Sequence, residues 1–272
     1  MSFELLNYQY IDKDFYNKNY SNQNIHKKEL FQHWIEQGKN NNCALNKDQL
    51  INRYNSNIKF YNDLILLEEF KENEEIIFNI LIRTSNRKEY FKTCYESILK
   101  QNFKGKINIF VSYDNKETLK YLKEYNDLNI IKCEKGDKKY SFNLYCNDLL
   151  KEVKEGWIIF LDDDNKFINY NCLSLISDKI TNTNELIIWQ FIRPDKVIKP
   201  QEIFKKGGID TSCFCFNYLN KNKSKWIDEK CSDFYYFNNL VNREKFNRKY
   251  IDLALVTTSY LSLIHISEPT RL

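Results

Sequence analysis

From Ile76 onward the chain alternates short apolar runs with amphipathic stretches. IIFNILI (76–82) is continuous and rich in β-branched residues, the pattern of a strand covered on both faces. EYFKTCYESILKQ (89–101) changes to helical spacing, with Phe91, Cys94, Tyr95, Ile98 and Leu99 on one face. Strand patterns follow at 106–113, 129–133 and 157–161, separated by helical patterns at 117–125 and 142–153. This order predicts an α/β fold, with a mostly parallel sheet sandwiched by helices and right-handed crossovers. ELIIWQFI (185–192) reads as another buried strand, and KPQEIFKKGGIDTSCFCF (199–216) as a flexible loop around the only Gly-Gly pair, with Lys205 and Lys206 read first as surface lysines and a phosphate contact as the alternative.

Upstream the period is helical. Leu50, Ile51, Tyr54, Ile58, Tyr61, Leu64 and Ile65 recur at intervals of three and four, which predicts a helix over 47–75 closed by KENEE. Leu30, Phe31, Trp34 and Ile35 form a second helical face that Gly38 ends. Three regions are expected: a helical N-terminal module with its linker helix (1–75), the α/β body (76–260) and a tail (261–272). LSLIHISEPTR (261–271) departs from the Asn, Lys, Ile and Tyr-rich style before it and resembles a sequencing-adapter read-through. We expect the tail to be non-native and the natural chain to continue beyond Tyr260.

The 272 residues include 42% hydrophobic and 15% aromatic side chains, too many for a disordered chain. The formal charge is only +4, spread without basic blocks, so no nucleic-acid partner is expected. No apolar run approaches the ~20 residues of a membrane-spanning helix, and MSFELLNYQY lacks a signal-peptide pattern. A cytoplasmic protein is expected. Its eight cysteines contain no CxxC pair, and His26, His33 and His265 lie far from any cysteine cluster. Reduced, buried thiols follow, and any metal should be oxygen-bound.

Ligands of parallel sheets bind beyond the carboxyl ends of the strands. Those ends carry Arg83 to Arg87, Asp114, and Asp162, Asp163 and Asp164. Three successive carboxylates repel one another, which a hard cation such as Mg²⁺ or Mn²⁺ relieves while also binding a nucleotide diphosphate. The bland alternative is a polar turn capping the next helix.

FNILIRTSNRKEYFKTCYESILKQNF resembles the opening of a family 2 glycosyltransferase of the GT-A fold through Thr84, Asn86, Arg87, Ser97, Ile98 and Gln101. EGWIIFLDDDNKF resembles the strand and DxD element of that family, with Asp162 and Asp164 at the DxD positions, and Asn143 and Asn147 match its Asn-x-x-x-Asn stretch. Arg83 stands where the family commonly has proline, and Asp114 stands alone where it usually has two acids. The N-terminal 45 residues resemble a small helical module found beside glycosyltransferase domains.

The resemblance implies inverting transfer of a sugar from a nucleotide-diphosphate donor, a UDP-sugar first, to a glycan, lipid or protein hydroxyl. It implies Mn²⁺ or Mg²⁺ held by Asp164 and Asp162, and a nucleotide-sugar site of Thr84, Asn86, Arg87, Asp114, Asn143, Asp162 and Asp163. A transferase of this kind needs a carboxylate base after the DxD. WIDEKCSDFYYFNNLV offers Asp228, Glu229 and Asp233. Asp233 precedes an apolar run and is expected at a helix N-terminus, as base or as N-cap. The alternatives are a nucleotidyltransferase, disfavoured because RTSNRKEY has no glycine, and a non-catalytic sugar- or nucleotide-binding module of the same fold.

Overall fold

The computed structural model describes residues 47–71, 74–134, 136–200, 205–243 and 246–258, together with Asp12 and His33. The expected helical face of Leu30, Phe31, Trp34 and Ile35, together with Cys43 and the tail, lies outside the described residues. Helix α1 (Lys47–Leu67) buries Leu50, Tyr61 and Ile65. It stops eight residues short of Glu75, the expected end. Beyond Leu67 the acid-rich EEFKENEE would set negative charge against the negative end of the helix dipole.

Strands β1 (Ile77–Arg83), β2 (Lys106–Tyr113), β3 (Leu128–Lys132) and β4 (Trp157–Phe160) fall where the periodicity placed them. Between them lie α2 (Lys88–Leu99), α3 (Lys116–Leu122), a 3₁₀ turn (Ser141–Leu144) and α4 (Tyr145–Glu152). Phe91, Cys94 and Ile98 form the buried face of α2, whereas Leu99 is exposed. β1 pairs in parallel with both β2 and β4, and β2 with β3. One polar side chain interrupts β1: buried Asn79 donates to the Glu155 and Trp157 carbonyls at 2.7 and 3.2 Å and accepts from Asn108. Gly156 turns the chain into β4 at φ 82°, where a side chain would meet the Ile77 carbonyl.

Beyond β4 come β5 (Asn165–Phe167), α5 (Cys172–Asp178), β6 (Glu185–Ile192), β7 (Val197–Ile198), β8 (Phe214–Asn217), α6 (Ser232–Arg243) and β9 (Asn247–Thr258). The sheet order is β3-β2-β1-β4-β8-β6-β9-β5, with β7 beside β6. It is parallel through the first four strands and mixed beyond them, because β8 enters antiparallel between β4 and β6. The 199–216 run is therefore not all loop. Its last residues begin a fully buried central strand, since Phe214, Cys215 and Phe216 are apolar enough to lie covered on both faces.

An aromatic cluster fixes α6 over β4. Trp226 stacks on Tyr236 at 4.8 Å, and Phe160 meets Trp226 edge-on at 5.0 Å. Ser97 and Gln101 at the end of α2 hold the chain after β4: Ser97 Oγ accepts from Phe167 N, and Gln101 bonds Asn169 O and Leu173 N.

Candidate active site

The parallel register of β1, β2 and β4 opens their carboxyl ends on one edge, so residues separated by 79 positions become neighbours. Arg83 places its guanidinium fork on Asp162, with Nε to Oδ1 at 2.7 Å and Nη2 to Oδ2 at 2.6 Å. Its Nη1 donates to Asn143 Oδ1 at 2.7 Å, and the Phe142 and Trp226 rings lie 5.5 Å from its central carbon. Arg87 pairs both oxygens of Asp163 and reaches Asp164 at 3.3 Å. Thr84 Oγ1 donates to Asp163 at 2.7 Å and lies 2.7 Å from the Tyr121 hydroxyl.

These contacts separate three adjacent carboxyls. Burial pushes Asp162 up, but Arg83 outweighs it and the group lies below the usual range. Burial, opposed by Arg87, pushes Asp163 up to about 7, and burial also raises Asp164. Two arginines thus relieve part of the repulsion that the sequence reading assigned to a cation.

The candidate donor-site residues divide into two groups. The polar atoms of Thr84, Asn143 and Asp163 are spent on protein partners, Asn143 also donating to the Glu229 carbonyl at 3.0 Å. They form the frame. Asn86 is exposed, with φ 54° and its N–H on Thr118 Oγ1 at 2.9 Å. Asp114 is half-buried and accepts from Ser85, Asn115 and the Tyr145 hydroxyl. Arg87, Asp162 and Asp164 keep partial exposure.

Asp233 stands within the first turn of α6, and its carboxylate accepts the Phe234 N–H at 2.8 Å. It is inside the helix and not the residue before it, so the N-cap expectation gives way. Cys231, at φ 61°, turns the chain into this helix in a conformation costly for a side chain. Burial, then the nearby Asp210, push the Asp233 carboxyl up to about 6, against the pull of Arg83. Asp228 Oδ1 accepts the Tyr140 N–H at 3.2 Å.

Asp210 lies in the run whose Gly pair predicts a loop, so local sequence does not single it out. Its Oδ1 accepts from Asn165 Nδ2 at 3.1 Å and from Ser212 N and Oγ at 3.0 and 2.7 Å. With Asp162, Asp164, Arg193 and Lys196 it lines a cavity of about 460 Å³. The signal available was one acid two residues after the Gly pair. Lys206 lies over the Tyr235 ring at 4.7 Å.

Residues 79–248 match the glycosyl transferase family 2 model. The chain belongs to this family. As a family 2 glycosyltransferase it is similar in fold to the S. aureus TarS fragment 1–349, at TM-score 0.54 and 16% identity, over 70% of this chain and 63% of that one. The mannosyltransferase PcManGT from Pyrobaculum calidifontis, solved with GDP-Man and Mn²⁺, gives TM-score 0.50 and 9% identity over 77% of this chain and 66% of that one. The chain thus spans less than two thirds of the TarS fragment, and 39% of full TarS. No curated protein matches the sequence significantly. At these identities the likeness shows the GT-A fold. Among the described residues no helix is long and apolar enough to cross a membrane. The seven described cysteines are free, and six of them are buried.

Proposed function

We propose that this glycosyltransferase moves a sugar, with inversion, from a nucleotide-diphosphate donor to an acceptor hydroxyl, using Asp233 as general base. The observation that carries the reading is that Arg83, paired with Asp162, lies against the Trp226 ring and, through Asn143, against the Glu229 carbonyl, so the segment leading into α6 and Asp233 is anchored at the end of β4. An inverting transfer needs a carboxylate apart from the diphosphate site that takes the acceptor proton as its oxygen attacks the anomeric carbon. A pKa of about 6 suits that task near neutrality, where the group is mostly ionised yet basic enough to accept a proton.

Arg87 supplies a cation for the leaving diphosphate, and Asp114, beyond β2, faces the nucleoside. Among the described residues no three His, Cys, Asp or Glu side chains converge as a metal cage. The donor set fits a hard divalent cation that takes most of its ligands from phosphate and water, with Asp164 as its protein carboxylate. Bound there, Mn²⁺ or Mg²⁺ would neutralise charge developing on the diphosphate. The structure of PcManGT with GDP-Man and Mn²⁺ and that of TarS with UDP support a donor of this class, with a UDP-sugar tried first. A glycan, lipid or protein hydroxyl is the acceptor class, and a cytoplasmic setting suits reduced thiols and nucleotide sugars.

The test is incubation with Mn²⁺ and a panel of nucleotide sugars, scoring slow donor hydrolysis. Release of nucleotide diphosphate from one or two donors is expected. Binding of a nucleotide sugar without turnover toward water or any acceptor would leave a non-catalytic module.

A further inference from the structure

We infer that Arg83 is a positioning residue that withholds Asp162 from the metal, so that the cation binds this enzyme only together with its nucleotide. The inference rests on the donor reading above and adds a binding order to it. Both Asp162 oxygens lie on the Arg83 fork. The fork does not swing away easily. The Arg83 side chain is only 12% exposed, lies against Phe142 and Trp226, and gives a third bond to Asn143, which is tied in turn to the Glu229 carbonyl. A cation that recruited Asp162 would have to strip a buried guanidinium of its partner, leaving a charge whose burial is uncompensated.

Asp163 is equally committed. It is fully buried, with both oxygens on Arg87. Of three adjacent carboxylates, Asp164 alone faces the cavity without a bidentate arginine, its one contact to Arg87 being 3.3 Å long. Asp210, on the same cavity wall, has its Oδ1 taken by Asn165 and Ser212, so Asp164 and water hold a divalent cation weakly. Diphosphate oxygens complete the shell. The residue responsible is the one that departs from the family pattern, arginine in place of proline ahead of Thr84.

The experiment reads bound Mn²⁺ directly, from loss of the free-ion electron paramagnetic resonance signal, with and without UDP as the nucleotide probe. Wild type should bind Mn²⁺ at least tenfold more tightly with UDP than without it. Arg83→Met keeps the packing between the two rings and frees Asp162, so binding of Mn²⁺ alone should tighten about tenfold. In the double variant Arg83→Met/Asp162→Asn that gain should vanish, which a merely structural arginine would not bring about. Arg83→Lys, which keeps the charge but not the fork, should give an intermediate gain and serves if the methionine variant fails to fold. Equal Mn²⁺ affinity with and without UDP in wild type, or no gain in either Arg83 variant, overturns the inference. Failure of UDP to bind at all would instead strike the donor reading, while the nucleotide-free comparison of the variants still decides the role of Arg83.

Discussion

Arg87 closes on both oxygens of Asp163, and the Asp163 side chain is wholly removed from solvent. The middle residue of the acidic triplet therefore serves as a strut, with Thr84 as its second support. Asp163→Ala leaves Arg87 without its buried partner and should cost roughly 3–5 kcal/mol of stability. Denaturant unfolding checks this, and a loss below 1 kcal/mol would show the pair to be dispensable.

Asp164→Ala should behave in the opposite way. Burial and neighbouring carboxyls raise Asp164, so removing its charge relieves the site while depriving the cation of its carboxylate. Turnover is expected to fall by two or more orders of magnitude with the melting temperature unchanged or higher. Full turnover in excess EDTA would refute the metal's part.

The pH dependence follows from Asp233. A base that titrates at about 6 is protonated below that value, so turnover should fall tenfold per pH unit on the acid side and level off above about 7. Stability should run the other way. Folding raises this pKa above its unfolded value, so the stability contribution is full below about pH 4 and is lost as pH climbs through 6. Asp233→Asn should thus gain melting temperature over wild type at pH 8 and gain least at pH 4. A gain independent of pH would contradict this.

Glu185, at the start of β6, tests the frame away from the site. It has no solvent exposure, pairs with Lys249 at 2.5 Å and accepts from Thr181 and Asn182. Burial raises its carboxyl, but Lys249 and Thr181 outweigh that and hold it below the usual range. Its contribution is therefore present above about pH 4 and fades on further acidification. Glu185→Ala should cost about 3 kcal/mol at pH 7, with turnover at saturating donor unchanged. Thermal or denaturant unfolding decides it.

The first four strands and three helices were legible because each buried strand is a short apolar run followed by a clear change to helical spacing. The DDD cluster was legible for the same reason, since it follows WIIFL directly. β8 was hidden by Gly207 and Gly208, whose flexibility coloured the reading of the whole run although Phe214 to Phe216 form a central strand. β9 begins NRKY, polar enough to read as surface, and owes its strand form to pairing with β6. The partnership of Arg83 with Asp162 is a consequence of register across two strands. Local sequence records the residues but not that they meet. Asp210 was invisible for a similar reason, because only the fold carries it to the cavity wall.

The most direct test of the central claim is turnover of Asp233→Asn with a donor that wild type accepts, alongside nucleotide binding by the same variant. A general base predicts a loss of roughly 10²–10⁴-fold in rate with nucleotide affinity intact. Near-normal turnover would contradict the assignment and pass the role to Asp228 or Glu229.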